Sequence, residues 1–303
     1  MKPLTILLIL SACGSVEEST PDAGAIADGP PAGDAITGDA TAARCDLSKP
    51  FAAATLVPNV NTSNDEYLFT TTRDELYGFV SYVVQSSSSA TILTTSRRST
   101  GDSFGMPNGT VTEQINKATG SEYGPSPVSD GLLMYFHRQT TANIGIYAAS
   151  RAVGGVFNLG NTVSVDGKPL LNALSATISA DGMTLYWLDF NDFKLHSATR
   201  GATPTIFTGN TEVSTMAIPT SAVLSADELT LFYTNNTTNG DILEATRASK
   251  SVPFGIGVPV ANVNSPQSDY PTHLSHDGCV LYIISTRAGG VGGPDVWQAQ
   301  RPQ

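Results

Sequence analysis

A turn leading into an apolar strand recurs five times along the chain: Thr72-Arg73-Asp74-Glu75-Leu76-Tyr77, Ser129-Asp130-Gly131-Leu132-Leu133-Met134-Tyr135, Ser179-Ala180-Asp181-Gly182-Met183-Thr184-Leu185-Tyr186, Ser225-Ala226-Asp227-Glu228-Leu229-Thr230-Leu231-Phe232 and Ser275-His276-Asp277-Gly278-Cys279-Val280-Leu281-Tyr282. Its Asp residues, at 74, 130, 181, 227 and 277, stand 56, 51, 46 and 50 apart. A period near 50 built from short strands means a propeller or a solenoid. Asp-Gly between apolar residues signals a hairpin, because Gly supplies the positive φ of a tight turn. Asp74-Glu75 and Asp227-Glu228 lack that Gly, so their turns must be of another type, or strained.

Each unit carries two further landmarks. A strand ends at Arg97, Arg151, Arg200, Arg247 or Arg301, and in four units a new apolar strand begins some residues later at Phe104, Phe157, Phe207 or Phe254. The fifth unit has no such strand before Gln303. Its counterpart stands at the other end of the chain: Phe51 to Tyr67 aligns without gaps to Phe254 to Tyr270, matching Val60 with Val263 and Asn61 with Asn264. A closed ring requires this arrangement, since pairing the two ends removes both sheet edges. A solenoid would keep capping units instead. The expectation is therefore all-β: a five-bladed β-propeller over residues 45–303, with four antiparallel strands per blade and residues 51–61 completing the last blade.

The repeat, with its continuation Ser285-Thr286-Arg287-Ala288-Gly289-Gly290-Val291-Gly292-Gly293-Pro294-Asp295-Val296-Trp297, resembles the TolB-like, WD-repeat-like propeller repeats of bacterial envelope proteins. The resemblance covers residues 51 to 301 and is clearest in the last unit. It implies the fold and leaves the function open, because such propellers serve transport machinery, peptidase-associated domains and binding modules.

The amino terminus points to the same compartment. Met1-Lys2-Pro3 and the apolar run Leu4 to Leu10 form an export signal over residues 1–12, too short to span a bilayer. Leu10-Ser11-Ala12-Cys13 resembles the lipobox of bacterial lipoproteins, which implies lipidation of Cys13 and a membrane anchor. Gly14, where inner-membrane lipoproteins commonly carry Asp, implies the outer membrane. Residues 13–44 are rich in Ala, Gly, Asp and Pro, hold six acids and no aromatic residue, and are expected to be a disordered tether. The remaining cysteines, Cys45 and Cys279, both belong to the ring's seam, and in an oxidising compartment a disulfide between them would lock it.

Chemistry is less legible than architecture. The net charge of −11 excludes a nucleic-acid partner, which needs clustered Lys and Arg. Gly101-Asp102-Ser103-Phe104-Gly105 matches a nucleophile elbow, but it falls where other units turn between antiparallel strands. His273 and His276, three apart in an expected strand, face opposite sides, and His137 and His196 are assigned to loops or strand ends. No metal site and no cofactor are expected. The turn Asp residues recur in every unit and are assigned to bracing their own turns. Tyr77, Tyr135, Tyr186 and Tyr282 are assigned to packing between blades.

Residues that recur in only some units are the better site candidates. Glu66-Tyr67, Glu122-Tyr123 and Asp269-Tyr270 stand at the start of the innermost strand, while Leu174 and Thr220 replace the Tyr elsewhere. With Asp189, Asn191, Asp192, Asn235, Asn236 and Asn239 from loops on the same face, they would form an acidic, aromatic-lined channel mouth suited to a cationic peptide or a sugar. The expected function is a monomeric, non-enzymatic envelope lipoprotein that binds a protein, peptide or glycan. The alternative is a carbohydrate-active hydrolase, which needs two acids from different blades about 5–10 Å apart across the channel. Glu66, Glu122, Asp189 and Asp269 would be its candidates.

Overall fold

The computed structural model describes residues 44–84, 89–117, 119–218, 220–234 and 240–303. Cys13 and the tether before Arg44 lie outside the described residues, as do Asn235, Asn236 and Asn239. Strand β1 (Thr55–Leu56) precedes the blades. Blade 1 holds β2 (Asp65–Thr71), β3 (Tyr77–Val83) and β4 (Ala90–Ser96). Blade 2 holds β5 (Ser121–Pro127), β6 (Leu133–Gln139), β7 (Ile144–Ser150) and β8 (Asn161–Thr162). A hairpin, β9 (Ser164–Val165) and β10 (Lys168–Pro169), leads into blade 3, formed by β11 (Ala173–Ile178), β12 (Thr184–Asp189), β13 (Leu195–Arg200) and β14 (Ile206–Glu212). Blade 4 holds β15 (Ala222–Leu224), β16 (Thr230–Thr234), β17 (Ile242–Thr246) and β18 (Val258–Pro259). Blade 5 holds β19 (Asp269–Leu274), β20 (Val280–Ser285) and β21 (Asp295–Gln300), completed by β1 on its outer edge.

The five antiparallel sheets form a five-bladed β-propeller. At the seam Thr55 pairs with Gln298 and Leu56 with Trp297. The gapless match between residues 51–67 and 254–270 holds at atomic level. Asn61 and Asn264 each accept a hydrogen bond from a backbone N–H of the neighbouring strand, Val296 and Ile242, and return one to the same residue's carbonyl. Asn59 and Asn262, both at φ 64°, donate to the equivalent carbonyls of Phe104 and Phe51. Cys45 and Cys279 are joined by a disulfide with Cα atoms 5.7 Å apart.

Two blades depart from four antiparallel strands. In blade 1 the outer position holds only an isolated bridge, Thr94 to Asn108, and a single helical turn, α1 (Glu113–Asn116). Asn116 serves the exposed edge of β4 there, accepting from Ile92 N at 3.0 Å and donating to Ile92 O at 2.9 Å. In blade 3 the hairpin adds a parallel strand to β14, with Ser164 opposite Ile206.

The repeated landmarks form one brace per blade. The turn Asp accepts the N–H two residues on, at 2.9 to 3.0 Å, in all five turns. Thr72, Ser179, Ser225 and Ser275 donate to the same carboxylate at 2.6 Å. The next residue takes positive φ whatever its type: Gly131, Gly182 and Gly278 at 67°, 73° and 75°, and Glu75 and Glu228 at 58° and 62°. The two Glu turns are thus the same turn held under strain, since Cβ disfavours left-handed backbone. The landmark Arg then reaches the turn: Arg97, Arg151 and Arg247 donate Nε to the carbonyls of Glu75, Gly131 and Glu228, while stacking over Phe104, Phe157 and Phe254. In blade 5 Arg301 stacks over Phe51 from the amino-terminal segment.

The core lies between blades rather than within them. One cluster joins Tyr135 and Ile146 of blade 2 to Leu185, Trp187 and Phe207 of blade 3, and another joins Phe69 and Val80 of blade 1 to Tyr282 and Ile284 of blade 5. The recurring tyrosines sit in these joints as expected. Tyr135 donates to Pro204 O at 2.9 Å, Tyr186 donates to Glu228 of the next blade, and the Tyr282 ring lies 5.0 Å from that of Phe69.

Candidate functional site: the channel and its tyrosine-lined mouth

The innermost strands β2, β5, β11, β15 and β19 touch in cyclic order around a central channel. Four of them shift register just after their start, between Glu66 and Phe69, Tyr123 and Ser126, Leu174 and Thr177, and Pro271 and His273. Such bulges re-aim side chains and often flank functional sites. Here they swing small and hydroxyl residues toward the axis.

Hydroxyls tie neighbouring blades together here, from β3 in the case of Ser81 and from the innermost strands or the residues leading into them in the other cases. Ser81 accepts from Gly124 N and Ser126 from Ile178 N, each at 3.0 Å. Ser175 donates to Thr220 O at 2.9 Å, and Ser221 donates to Pro271 O. At the seam an imidazole takes this role: His273 lies 3.1 Å from Thr70 Oγ1 and 2.9 Å from Thr71 Oγ1. Burial pushes His273 down to about 4, so the ring bridges the seam uncharged. His276 lies beyond the end of β19 and also lines the channel, so the two histidines do not diverge as strand spacing implies. The turn re-aims the second one.

His137 is another correction. It sits inside β6, not in a loop, buried and stacked on Tyr123 with centroids 5.2 Å apart. Burial lowers its pKa to about 3. His196 lies in β13, 3.0 Å from Asp192 Oδ2. Ser103 is exposed in a loop between strands, with no helix behind it. Among the described residues no three His, Cys, Asp or Glu side chains converge to hold a metal ion.

The three acids beside the mouth tyrosines are buried. Glu122 accepts from Arg138 Nε at 2.8 Å, and Asp269 accepts from Arg287 at 2.5 Å and from Ser265 N at 2.6 Å. Sequence reasoning did not find these arginines, although each lies on the adjacent strand or just past it. Glu66 has no arginine. It accepts from Thr62 N at 3.2 Å and Thr62 Oγ1 at 2.8 Å, while Oε2 has no partner. Burial first, and the nearby Asp295 and Asp65 carboxylates second, push Glu66 up to about 7. Asp295 is likewise buried, with Oδ1 unpartnered and Oδ2 accepting from Val291 N at 3.0 Å.

The phenols of Tyr123 and Tyr270 lie within electrostatic reach of Tyr67. Tyr67, Tyr123 and Tyr270, from blades 1, 2 and 5, are each half-buried. Burial, Asp65 Oδ2 at 3.4 Å and the neighbouring phenols of Tyr123 and Tyr270 hold the Tyr67 hydroxyl protonated up to about 12. Asp189 and Asp192 instead organise their own turn, accepting from Asn191 N at 2.8 Å and Lys194 N at 2.9 Å. Of these neighbouring pairs, the tyrosines are thus the more exposed and the acids the more buried. Along the channel wall Glu228 is the one carboxylate among the described lining residues, and it is bound by Lys250 at 2.6 Å.

No known protein family and no curated protein matches the chain. Solved structures do. A β-xylosidase, RS223, superposes with a TM-score of 0.56 at 13% identity, covering 82% of this chain and 94% of its own. The catalytic domain of a GH62 α-L-arabinofuranosidase from Coprinopsis cinerea gives 0.54 at 11% identity, covering 83% and 96%. TolB from Acinetobacter baumannii overlaps more loosely, at 0.44 and 13% identity, covering 85% of this chain and 65% of TolB. At these identities the likeness to the two glycosidases shows the fold alone and nothing of its chemistry.

Proposed function

We propose that this protein is a non-enzymatic binding module of the bacterial envelope, anchored through lipid on Cys13, that captures a glycan or peptide at the tyrosine-lined mouth. One observation supports the reading: three half-buried tyrosines stand at the start of the innermost strands of separate blades, Tyr67 within electrostatic reach of the other two, while the acids beside them are buried and, in two blades, paired with arginine. Rings held by a rigid scaffold offer stacking faces to sugar or proline rings at little ordering cost. The hydrolase alternative draws on the glycosidase neighbours, but it requires a facing acid pair, and the channel wall offers a single carboxylate that is already bound.

The test is capture from a defined panel of envelope glycans and peptides by the full chain and by the Tyr67→Ala, Tyr270→Ala double variant. Loss of capture with a nearly unchanged melting temperature supports the site. Unchanged capture, or a large loss of stability, sinks it.

A further inference from the structure

The glycine-rich loop that joins β20 to β21, residues 286–294, lies across the start of β2. A Cβ on Gly292 would stand 2.3 Å from Asn64 O and 2.6 Å from Thr62 O, one on Gly293 2.3 Å from Asp65 Oδ1, and one on Gly290 2.0 Å from Asp295 Oδ2. None of the three takes positive φ, so close approach to oxygen, not turn geometry, excludes a side chain at each. The loop is thus laid against oxygens from both sides of the seam. Glu66 N donates to Pro294 O at 2.9 Å, which sets Glu66 beside Asp295 where blade 1 meets blade 5.

Both acids are buried and half satisfied. Glu66 is 0% exposed and Asp295 1%. Thr62 takes up Glu66 Oε1 and the Val291 N–H takes up Asp295 Oδ2, while Glu66 Oε2 and Asp295 Oδ1 have no partner. Elsewhere the repeat answers the equivalent acid from within: Glu122 faces Arg138 on the adjacent strand, and Asp269 binds Arg287. Opposite Glu66 that strand carries Tyr82 instead. Burial raises the pKa of Asp295 as it does that of Glu66, and the Asp65 carboxylate adds to both. Buried carboxylates in one another's field are costly until a positive charge joins them.

We propose that Glu66 Oε2 and Asp295 Oδ1 bind one calcium ion across the seam, with nearby main-chain carbonyls and water completing its oxygen shell. Among the described residues no three acidic, His or Cys side chains gather for a metal cage built of side chains alone. Two carboxylates supplemented by loop carbonyls suit calcium, which takes roughly six to eight oxygens in flexible geometry, whereas magnesium demands a regular octahedron and keeps its waters. The net charge of −11 draws cations to the surface loop that covers the site. The ion does for blade 1 what an arginine does for blades 2 and 5, and it fixes the start of β2, with Tyr67, against β21.

Titration calorimetry of the full chain with calcium chloride, at pH 8 and constant ionic strength, tests this. One ion per chain is expected at a Kd of about 0.1 mM, with magnesium about tenfold weaker or more. Glu66→Gln and Asp295→Asn should each weaken calcium binding about tenfold or more, while Glu113→Gln, at an exposed acid of α1, should leave it unchanged. Melting in chelator checks that the variants fold. Calcium should also raise the melting temperature of the parent above its value in magnesium, a readout that needs no substitution. Absence of saturable calcium binding, equal affinity for magnesium, or calcium binding that either folded variant retains overturns the proposal.

Discussion

Glu66→Gln isolates the one buried mouth acid that lacks a cation. In the folded protein Glu66 titrates near 7 against an ordinary value of 4.5, a gap of about 2.5 units. At ~1.36 kcal/mol per unit this is worth up to ~3 kcal/mol. The sign follows from where the proton sits. Between those two pH values the folded chain keeps a proton that the unfolded chain has lost, so stability is full below 4.5 and falls as pH rises through 7. At pH 5 the loss is about 1 kcal/mol, and at pH 8 about 3 kcal/mol. Gln keeps an oxygen for Thr62 and presents an amide N–H where Oε2 has no partner and Asp295 stands near. The stability of Glu66→Gln relative to the parent should therefore grow by about 2 kcal/mol between pH 5 and pH 8, measured by urea denaturation. His137 and His273, depressed to about 3 and 4, lose stability in the opposite direction as pH falls below 6.5, but equally in both proteins. A difference that stays constant or narrows with rising pH would refute the reasoning.

Two further changes test the seam and the strained turn. Replacing Cys45 and Cys279 by Ser releases a 234-residue separation and should cost about 5 kcal/mol in the loop-entropy model, with denaturation of the variant insensitive to reductant while that of the parent is not. Glu75→Gly relieves left-handed strain worth about 1 kcal/mol but removes the carboxylate shared by Arg44 and Arg97, a loss of roughly 3 kcal/mol or more for a buried pair. The ion pair wins, so the variant should be less stable despite its better backbone, and a higher urea midpoint would contradict that ranking.

What was legible in the chain is what each blade must do for itself. The turn Asp caps its own loop, the Arg reaches its own turn carbonyl and stacks on its own Phe, and these local duties recur at the repeat's period whatever the blade binds. The same duties made the amino-terminal strand recognisable, because Asn59 and Asn61 perform in blade 5 the work of Asn262 and Asn264 in blade 4. The direction of a side chain was not legible in this way. Glu66, Glu122 and Asp269 read as mouth acids by position, but alternation along the innermost strand turns them into the sheet stack and leaves the adjoining Tyr at the mouth. Nor could strand spacing place His273 and His276, because a bulge precedes one and a turn follows the other. Departures from the repeat mark where chemistry can enter. Glu66 is such a departure: its equivalents Glu122 and Asp269 are each paired with an arginine, whereas Glu66 is buried with Oε2 unpartnered beside the blade that β1 completes.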